Sequence, residues 1–303
     1  SFIANKIYDR LRFIRYPVNY LDINEKNLKR VKKISERVNF KEKKLRSLIP
    51  DLNYFNFSEL ESFNKNGFLI LKKDRLNKID GFEKIFNNFS QNFEKLNSNN
   101  KFEQKKLFKI YKHNITDNNE IKSYGKFFLP IVSNYLNLIP ILTTAVYWLS
   151  EADNLNKNFT GSQLPHFDWE DLKQVKIFLS FDDISYENGP LHILPKKESF
   201  EIKNYLKTQK IELNEKISLD KFKKFQFKQM NLRKNDVVMV DTSSCYHFGG
   251  RCTKGTRKQL LLQFNDPFSM SYPIIRFNNN NSVWNYSEYA YENVKNSKDR
   301  RIF

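Results

Sequence analysis

His166 and Asp168, which lie within the run 163–181, are the two residues whose types and spacing point most directly to chemistry. Imidazole nitrogens and carboxylate oxygens are good ligands for divalent transition metals. In an extended segment, side chains two residues apart point to the same face. The two side chains can therefore bind one metal ion from one side, and a third ligand must come from elsewhere in the chain.

His247 is the best third ligand among the remaining histidines, because it follows a strand-like run at 236–241. Two histidines and one carboxylate on one face, with the other coordination positions open, are the ligand set of non-haem Fe(II) oxygenases. Cys245 is an alternative fourth ligand, although a free cysteine more often fills a small apolar position in a core. A His-x-Asp pair alone would fit a structural role equally well, so the rest of the chain must decide.

The elements that would position these residues are short and β-rich from residue 141 onward. Several short strands at close spacing favour a sandwich or a jelly roll. The clearest of these runs are 145–149, 175–181, 191–194, 237–240 and 259–264. The lysine-rich insert at 196–230 is expected to contain a helix and to lie over the mouth of the site.

Helical patterns dominate the chain before residue 141. Ser58, followed by Glu61 three residues later, predicts a capping box at the start of a helix that ends at Gly67. A buried strand is expected at 68–71, and a second helix is expected between residues 81 and 96. Residues 1–52 are predicted to form a basic helical extension that precedes one domain at 53–303.

The stretch 127–150 carries no charge and is long enough to span a bilayer. Pro130 and Pro140 interrupt it, so a helix that ends near Asn137, followed by a buried strand at 141–149, is the better interpretation. The N-terminal residues carry charges and contain no apolar core, so we expect neither a signal peptide nor a membrane partner.

The chain has 303 residues, 40% of them hydrophobic, and a net charge of +18. A basic balance of this size suits nucleic acid and other polyanions. The lysines are scattered, however, and no cluster interleaves aromatic residues in a nucleic-acid motif, so a compositional bias toward Lys, Asn, Ile and Phe is the better explanation. The two cysteines, Cys245 and Cys252, argue against a disulfide framework and indicate a reducing, cytoplasmic location.

Four features follow one another in the second half of the chain: the His166–Asp168 pair, a turn and strand at 188–195, His247, and Arg257 at the start of a further strand. Together with the helix and strand at 57–71, this set resembles the phytanoyl-CoA dioxygenase family of Fe(II)/2-oxoglutarate-dependent oxygenases. The resemblance covers roughly residues 57–266, and the first fifty or so residues and the tail lie outside it.

The resemblance implies a mainly β fold with helical elaborations, whose double-stranded β-helix (jelly-roll, cupin-like) core spans about residues 141–266. It implies that His166, Asp168 and His247 are the catalytic metal ligands of Fe(II), and that 2-oxoglutarate and O2 take the open positions. The expected reaction is hydroxylation of a small-molecule or carrier-bound metabolite, with release of succinate and CO2. A carboxylate at Asp168 favours hydroxylation, because halogenases of this type have a small residue there.

The distal carboxylate of 2-oxoglutarate calls for a planar, permanently charged partner, which arginine provides better than lysine. Arg257 is the expected partner, and Arg251 is the competing choice. Gln163 and Tyr147 are further candidates for contact with 2-oxoglutarate. The chain departs from the family at Gly249, where a residue with a hydroxyl group often helps to hold the cosubstrate.

Three residues near the ligands are candidates for the substrate pocket, namely Phe167, Trp169 and His192. An aromatic residue beside a barrel strand is more often part of the core, and a strand histidine is more often structural. Two other functions stay open: an oxygenase of the same chemistry that acts on nucleic acid, and a jelly-roll binding protein with a degenerate site.

Overall fold

The computed structural model of the chain describes residues 49–115, 117–153, 159–168, 171–208, 225–265 and 284–285. Almost all of the expected N-terminal extension at 1–52 lies outside the described residues. So does the middle of the insert expected at 196–230, from residue 209 to residue 224.

The described helices are α1 (Phe57–Asn66), α2 (Lys73–Leu76), α3 (Phe82–Ser98), α4 (Asn119–Leu136) and α5 (Lys196–Thr208). The described strands are β1 (Phe68–Leu71), β2 (Glu103–Gln104), β3 (Lys109–Lys112), β4 (Ile141–Glu151), β5 (Gln174–Ser180), β6 (Leu191–Ile193), β7 (Lys228–Gln229), β8 (Val237–Val240), β9 (His247–Gly249), β10 (Thr256–Asn265) and β11 (Trp284–Asn285).

The strands form two antiparallel sheets. The major sheet has the order β1-β8-β5-β10-β4-β3-β2, with β11 also paired to β4, and the minor sheet has the order β7-β6-β9. Neighbours in space are far apart in the chain, as in β1 with β8 and β5 with β10. The predicted mainly β fold with a jelly-roll core and helical elaborations is confirmed.

The two faces of the major sheet have different surroundings, and β10 shows the contrast. Leu260, Leu262 and Phe264 are fully buried in the main core, which includes apolar residues of α3 and α4. On the other face, Val238 and Val240 of β8 pack with Ile193 of the minor sheet. This second face therefore encloses the space between the sheets, which we call the barrel interior.

Strand register decides which polar side chains enter the barrel interior. Lys176 of β5 is paired with Val240 on one side and with Gln263 of β10 on the other. Because side chains alternate along a strand, Gln259 and Arg257 share the face of Gln263. The side chains of Lys176, Gln259, Gln263 and Arg257 therefore face the barrel interior. The apolar side chains of Val238, Val240 and Ile193 share this interior.

Helix α1 begins with a different capping box from the one predicted. The side chain of Asn56 accepts a hydrogen bond from the Glu59 backbone N at 2.8 Å, and the Glu59 carboxylate accepts one from the Asn56 backbone N at 2.9 Å. Ser58 instead donates its hydroxyl to Asn56 Oδ1. Asparagine caps helices as well as serine does, and Asn56 and Glu59 have the same spacing as Ser58 and Glu61. The Asn56/Glu59 pair therefore forms the capping box in place of the predicted Ser58/Glu61 pair.

The uncharged stretch at 127–150 forms the end of α4 and most of β4, as predicted, but α4 runs through Pro130 without ending there. An internal proline costs a helix roughly 3 kcal/mol. Phe128, Ile131 and Tyr135 are almost completely buried, and each such side chain contributes about 1.5–3 kcal/mol. Burial of these side chains therefore offsets the free-energy cost of the proline.

In the part of the chain that the structure describes, no helix combines the length and apolarity that a bilayer span requires.

Gly67 closes α1 at a point where two parts of the fold come close together. Its φ of 77° lies in the left-handed region, and a Cβ there would lie 2.4 Å from Cys245 Sγ. Its carbonyl accepts a hydrogen bond of 2.8 Å from the Asp241 backbone N. The absence of a side chain thus lets α1 approach the turn that leads to His247.

We expect Gly67→Ala to lower the free energy of unfolding by about 2–4 kcal/mol, because it adds a steric overlap to the cost of a left-handed residue. Urea denaturation would measure this loss. Gly81→Ala is the matched control, since Gly81 also has a φ of 77° but has no atom within 4 Å of an added Cβ. Equal losses in the two variants would contradict the role of close packing at Gly67.

His113 is a half-buried histidine on the helix-covered side of the major sheet. Its ring centroid lies 4.4 Å from that of Tyr147 and 5.2 Å from that of Tyr111, and Nδ1 lies 3.3 Å from the Asn118 side-chain amide. Burial lowers its pKa from 6.5 to about 4. The unfolded chain therefore takes up a proton at this residue at a higher pH than the folded chain does.

Because the pKa is lower in the folded state, this histidine removes stability as pH falls from 6.5 toward 4. Between pH 7.5 and pH 4.5, the free energy of unfolding should fall in both proteins. We expect the fall to be about 2 kcal/mol smaller in His113→Gln than in the wild type. Urea unfolding at the two pH values would measure the difference. Parallel pH dependence in the two proteins would show that His113 is protonated equally in both states.

Candidate metal centre

The segment that carries His166 and Asp168 runs alongside β9, on the side away from β6. His166 and His247 exchange two backbone hydrogen bonds, of 2.9 and 3.0 Å, and the Asp168 backbone N donates to the Thr242 carbonyl at 3.0 Å. Directly paired residues of antiparallel strands point their side chains to the same face. The two imidazole rings, distant along the chain, therefore lie side by side, with centroids 4.4 Å apart.

Asp168 completes a set of three ligand groups. Nε2 of His166 lies 3.7 Å from Oδ1 of Asp168, and Nε2 of His247 lies 3.7 Å from Oδ2. The three candidate ligand atoms all lie within 4.8 Å of one another, and none of the three side chains is more than 18% exposed. The structure thus brings together the three residues that the sequence predicted as metal ligands.

Both histidines are held in the orientation that metal binding requires. Nδ1 of His166 donates to the Leu164 carbonyl at 2.7 Å, and Nδ1 of His247 donates to the Cys245 carbonyl at 2.9 Å. Because a carbonyl can only accept, these bonds place the proton on Nδ1 and leave Nε2 for an ion. Burial lowers the pKa of His247 to about 3, so this ring is neutral at ordinary pH. Two imidazoles and a carboxylate fit Fe(II) and similar divalent ions.

Lys176 is a residue of the candidate site that the sequence analysis missed. Its ammonium donates to Asp168 Oδ2 at 2.6 Å from within the barrel interior. Burial raises the pKa of Asp168, but the positive charge and the hydrogen bond of Lys176 act against burial, and the pKa lies below its usual value, so the carboxyl group is ionised. The available signal was a lysine inside the otherwise apolar run 175–179 of β5.

Arg257 lies on the same barrel face, close to Gly249 on β9. Its Nη2 donates to Ser150 Oγ at 3.2 Å and lies 3.8 Å from the position of a Cβ on Gly249, while Nη1 is 3.5 Å from the Gly250 carbonyl. Burial lowers its pKa to about 10, so the guanidinium is still charged at neutral pH. Among the described residues its hydrogen-bond partners are neutral, and a partly buried cation of this kind favours an anionic ligand.

Arg257 and Arg251 line one pocket, and Gln163 and Ser150 line it with them. Arg251 Nη2 donates to Gln163 Oε1 at 3.4 Å, and its guanidinium lies 4.6 Å above the ring of Phe159. Both arginines are half-buried, and Arg257 reaches the pocket from β10, on the barrel face of the major sheet. Both candidate arginines and Gln163 therefore meet where an anion could bind.

Tyr147 does not reach this pocket, which corrects the expectation that it contacts 2-oxoglutarate. It is paired with Leu260, so it lies on the helix-covered face of the major sheet, opposite Arg257. Its hydroxyl donates to the Phe89 carbonyl at 3.1 Å, and the ring of Phe93 packs against it at 5.3 Å. Tyr147 belongs to the main core.

Phe167 also points away from the ligands, because it alternates with His166 and Asp168 along an extended backbone. It is 1% exposed and packs with Tyr246 and with Ile202 and Leu206 of α5. The expectation that Phe167 lines the substrate pocket is thus corrected. The helix predicted in the insert is present as α5, and its described residues pack behind the ligand segment instead of over the mouth of the site.

His192 lies on the face of the minor sheet opposite His247, which corrects its expected place in the substrate pocket. It is paired with Phe248, and the two rings stack with centroids 4.5 Å apart.

Cys245 is free and buried, and it packs in the apolar cluster between the sheets, outside the three-ligand set. Cys252 is free as well. Trp169 lies outside the described residues.

No protein-family profile and no curated protein matches this chain. Solved structures do match it in fold. The non-heme alpha ketoglutarate dependent epimerase SnoN from nogalamycin biosynthesis superposes with a TM-score of 0.51 and 10% identity, over 69% of this chain and 81% of SnoN. The non-heme alpha ketoglutarate dependent carbocyclase SnoK from the same biosynthesis gives 0.51 and 12%, over 72% of this chain and 86% of SnoK.

A structure of SnoN in complex with Fe3+, alpha ketoglutarate and nogalamycin RO matches with a TM-score of 0.50 and 8% identity, over 72% of this chain and 88% of that chain. At such identities the similarity is one of fold. It agrees with the predicted jelly-roll core, and membership of the phytanoyl-CoA dioxygenase family stays a prediction.

Proposed function

We propose that this chain is an Fe(II)- and 2-oxoglutarate-dependent oxygenase that acts on a small-molecule or carrier-bound substrate. One observation carries the proposal: the three ligand groups and the half-buried Arg257 cation face the same barrel interior. Gly249, beside Arg257, is two residues along β9 from His247. Two residues of a strand span about 7 Å, a distance that suits the two ends of a short dicarboxylate.

His166 and His247 would hold Fe(II) through Nε2, and Asp168 would hold it through a carboxylate oxygen. When bound, the iron supplies the activation of O2 that couples conversion of 2-oxoglutarate into succinate and CO2 to oxidation of the substrate. Three protein ligands leave the remaining coordination positions for 2-oxoglutarate and O2. The protein's contribution is to orient the two imidazoles so that Nε2 faces the ion, through the Nδ1 hydrogen bonds to the Leu164 and Cys245 carbonyls.

Arg257 would bind the distal carboxylate of 2-oxoglutarate. The Ser150 hydroxyl accepts from Nη2 at 3.2 Å and so orients the guanidinium. Gly249 leaves open the space beside Arg257 in which related enzymes often place a hydroxyl group. Gln163, at the rim of the same pocket, is a second candidate for contact with the cosubstrate, and Arg251 is the competing cation.

The order of the motifs along the chain supports membership of the phytanoyl-CoA dioxygenase family, and the Asp168 carboxylate favours hydroxylation over halogenation. Two proteins of similar fold are described as an epimerase and a carbocyclase. Epimerisation and ring closure can start from the same oxidation of a substrate C–H bond. We therefore propose hydroxylation as the reaction, with these two outcomes as the alternatives that a product analysis must separate.

We expect the iron-loaded wild type to convert 2-oxoglutarate into succinate slowly without added substrate, and faster when a substrate library contains the right compound. His247→Ala should abolish succinate formation by removing a ligand, whereas His192→Ala, on the opposite sheet face, should retain it. Succinate would be measured by mass spectrometry. A wild type that binds Fe(II) but forms no succinate with any compound would instead indicate a binding protein.

We expect Arg257→Met to raise the KM for 2-oxoglutarate by about 10–100-fold, because charged hydrogen bonds of about 1.5–3 kcal/mol are lost. Arg257→Lys should recover only part of this loss, since an ammonium cannot bind a carboxylate through a planar fork. Arg251→Met is the matched control, with a change below about threefold. A larger effect at Arg251 than at Arg257 would move the cosubstrate-binding role to Arg251.

A further inference from the structure

The Lys176 ammonium and the candidate metal site share one carboxylate oxygen. Lys176 Nζ lies 2.6 Å from Asp168 Oδ2, and His247 Nε2 lies 3.7 Å from the same atom. A divalent ion binds a carboxylate oxygen at about 2.1 Å. An ion bound to this oxygen would therefore lie within about 5 Å of the lysine charge. The lysine and the ion compete for the same negative charge.

Lys176 cannot easily withdraw from this position. Its strand is paired in register on both sides, with Val240 of β8 and with Gln263 of β10, so its backbone is held in the middle of the major sheet. Its side chain points into the barrel interior and is only 16% exposed. A surface lysine would turn into solvent when an ion arrives, but this one stays close to the site.

We propose that Lys176 is a positioning residue that acts as a built-in counter-cation of the metal centre. In the metal-free protein it neutralises Asp168 and keeps the ligand set assembled. In the metal-bound protein it opposes the charge of the ion and weakens metal binding. This inference rests on the proposed function, because it concerns the same three ligands.

Two opposite effects of Lys176 on metal affinity must be weighed. Its hydrogen bond orders the Asp168 side chain before metal binding, which favours binding, but the ordering of one short side chain is a small effect. The repulsion between a dication and an ammonium within about 5 Å, in a site shielded from water, is several times larger. Removal of the lysine charge should therefore tighten metal binding.

Lys258 provides a matched control for the loss of a partly buried, ion-paired lysine. It lies on β10, one strand away, with a side chain that is 20% exposed and an Nζ that is 2.7 Å from Glu94 Oε1. It alternates with Gln259 and so lies on the helix-covered face of the sheet. Its substitution removes the same charge from the same sheet without touching the ligand set.

The test is titration of metal-free protein with Co²⁺ in the absence of 2-oxoglutarate. Calorimetry and the visible absorption of the bound ion would measure the affinity. We expect Lys176→Met to bind Co²⁺ at least about tenfold more tightly than the wild type. Lys176→Arg, which retains the charge, and Lys258→Met should both stay within about threefold of the wild type. A role in folding alone would not make binding tighter.

Thermal unfolding of the same proteins gives a second readout. Metal-free Lys176→Met should melt at a lower temperature than the wild type, because Asp168 becomes a buried charge without this counter-ion. Saturating Co²⁺ should raise its melting temperature by more than it raises that of the wild type. Lys176→Gln retains an amide donor for Asp168, so it should show the same tighter binding even where Lys176→Met does not fold.

The outcomes separate this proposal from the proposed function. A wild type that takes up no Co²⁺, or a His247→Ala variant that binds it as the wild type does, overturns the metal centre and this proposal together. A wild type that binds Co²⁺ normally, with folded Lys176→Met and Lys176→Gln variants of equal or weaker affinity, overturns the role of Lys176 alone.

Discussion

The pair of backbone hydrogen bonds between His166 and His247 is the constraint on which the candidate centre depends. It places two distant histidines directly opposite each other, with both rings on the barrel side. Because side chains alternate along extended backbone, a register slip of one residue would turn one ring to the outer face and Phe167 or Phe248 to the inner one. The metal-binding geometry is thus a consequence of strand register.

The turn between β8 and β9 sets that register, and Asp241 holds the turn. Its buried carboxylate accepts hydrogen bonds from the Tyr135 hydroxyl at 2.6 Å, from the Ser244 hydroxyl at 2.7 Å and from the Ser243 backbone N at 3.1 Å. Hydrogen bonds to a carboxylate are stronger than those between neutral groups. Since Tyr135 belongs to α4, the position of His247 is coupled to the helical layer behind the major sheet.

Local patterns predicted much of this arrangement, because a period of two residues determines which side chains of one strand share a face. His166 with Asp168, and Arg257 with Gln259, follow from that rule alone. The rule does not tell which face of a strand meets the helices. Strand β4 is buried on both faces, so its sequence lacks the polar alternation that would have placed Tyr147 on the helix side.

The same limit explains why Lys176 was overlooked, since a lysine in a strand is usually taken to face water, and only the closed barrel gives it an interior side. Together with Arg257, and against the single negative charge of Asp168, it leaves the interior around the ligands with a net positive charge. Under the proposed function, Fe(II) alone would add two further charges, whereas Fe(II) together with dianionic 2-oxoglutarate leaves the total unchanged. The electrostatics of the barrel therefore favour binding of the metal together with the cosubstrate over binding of the metal alone.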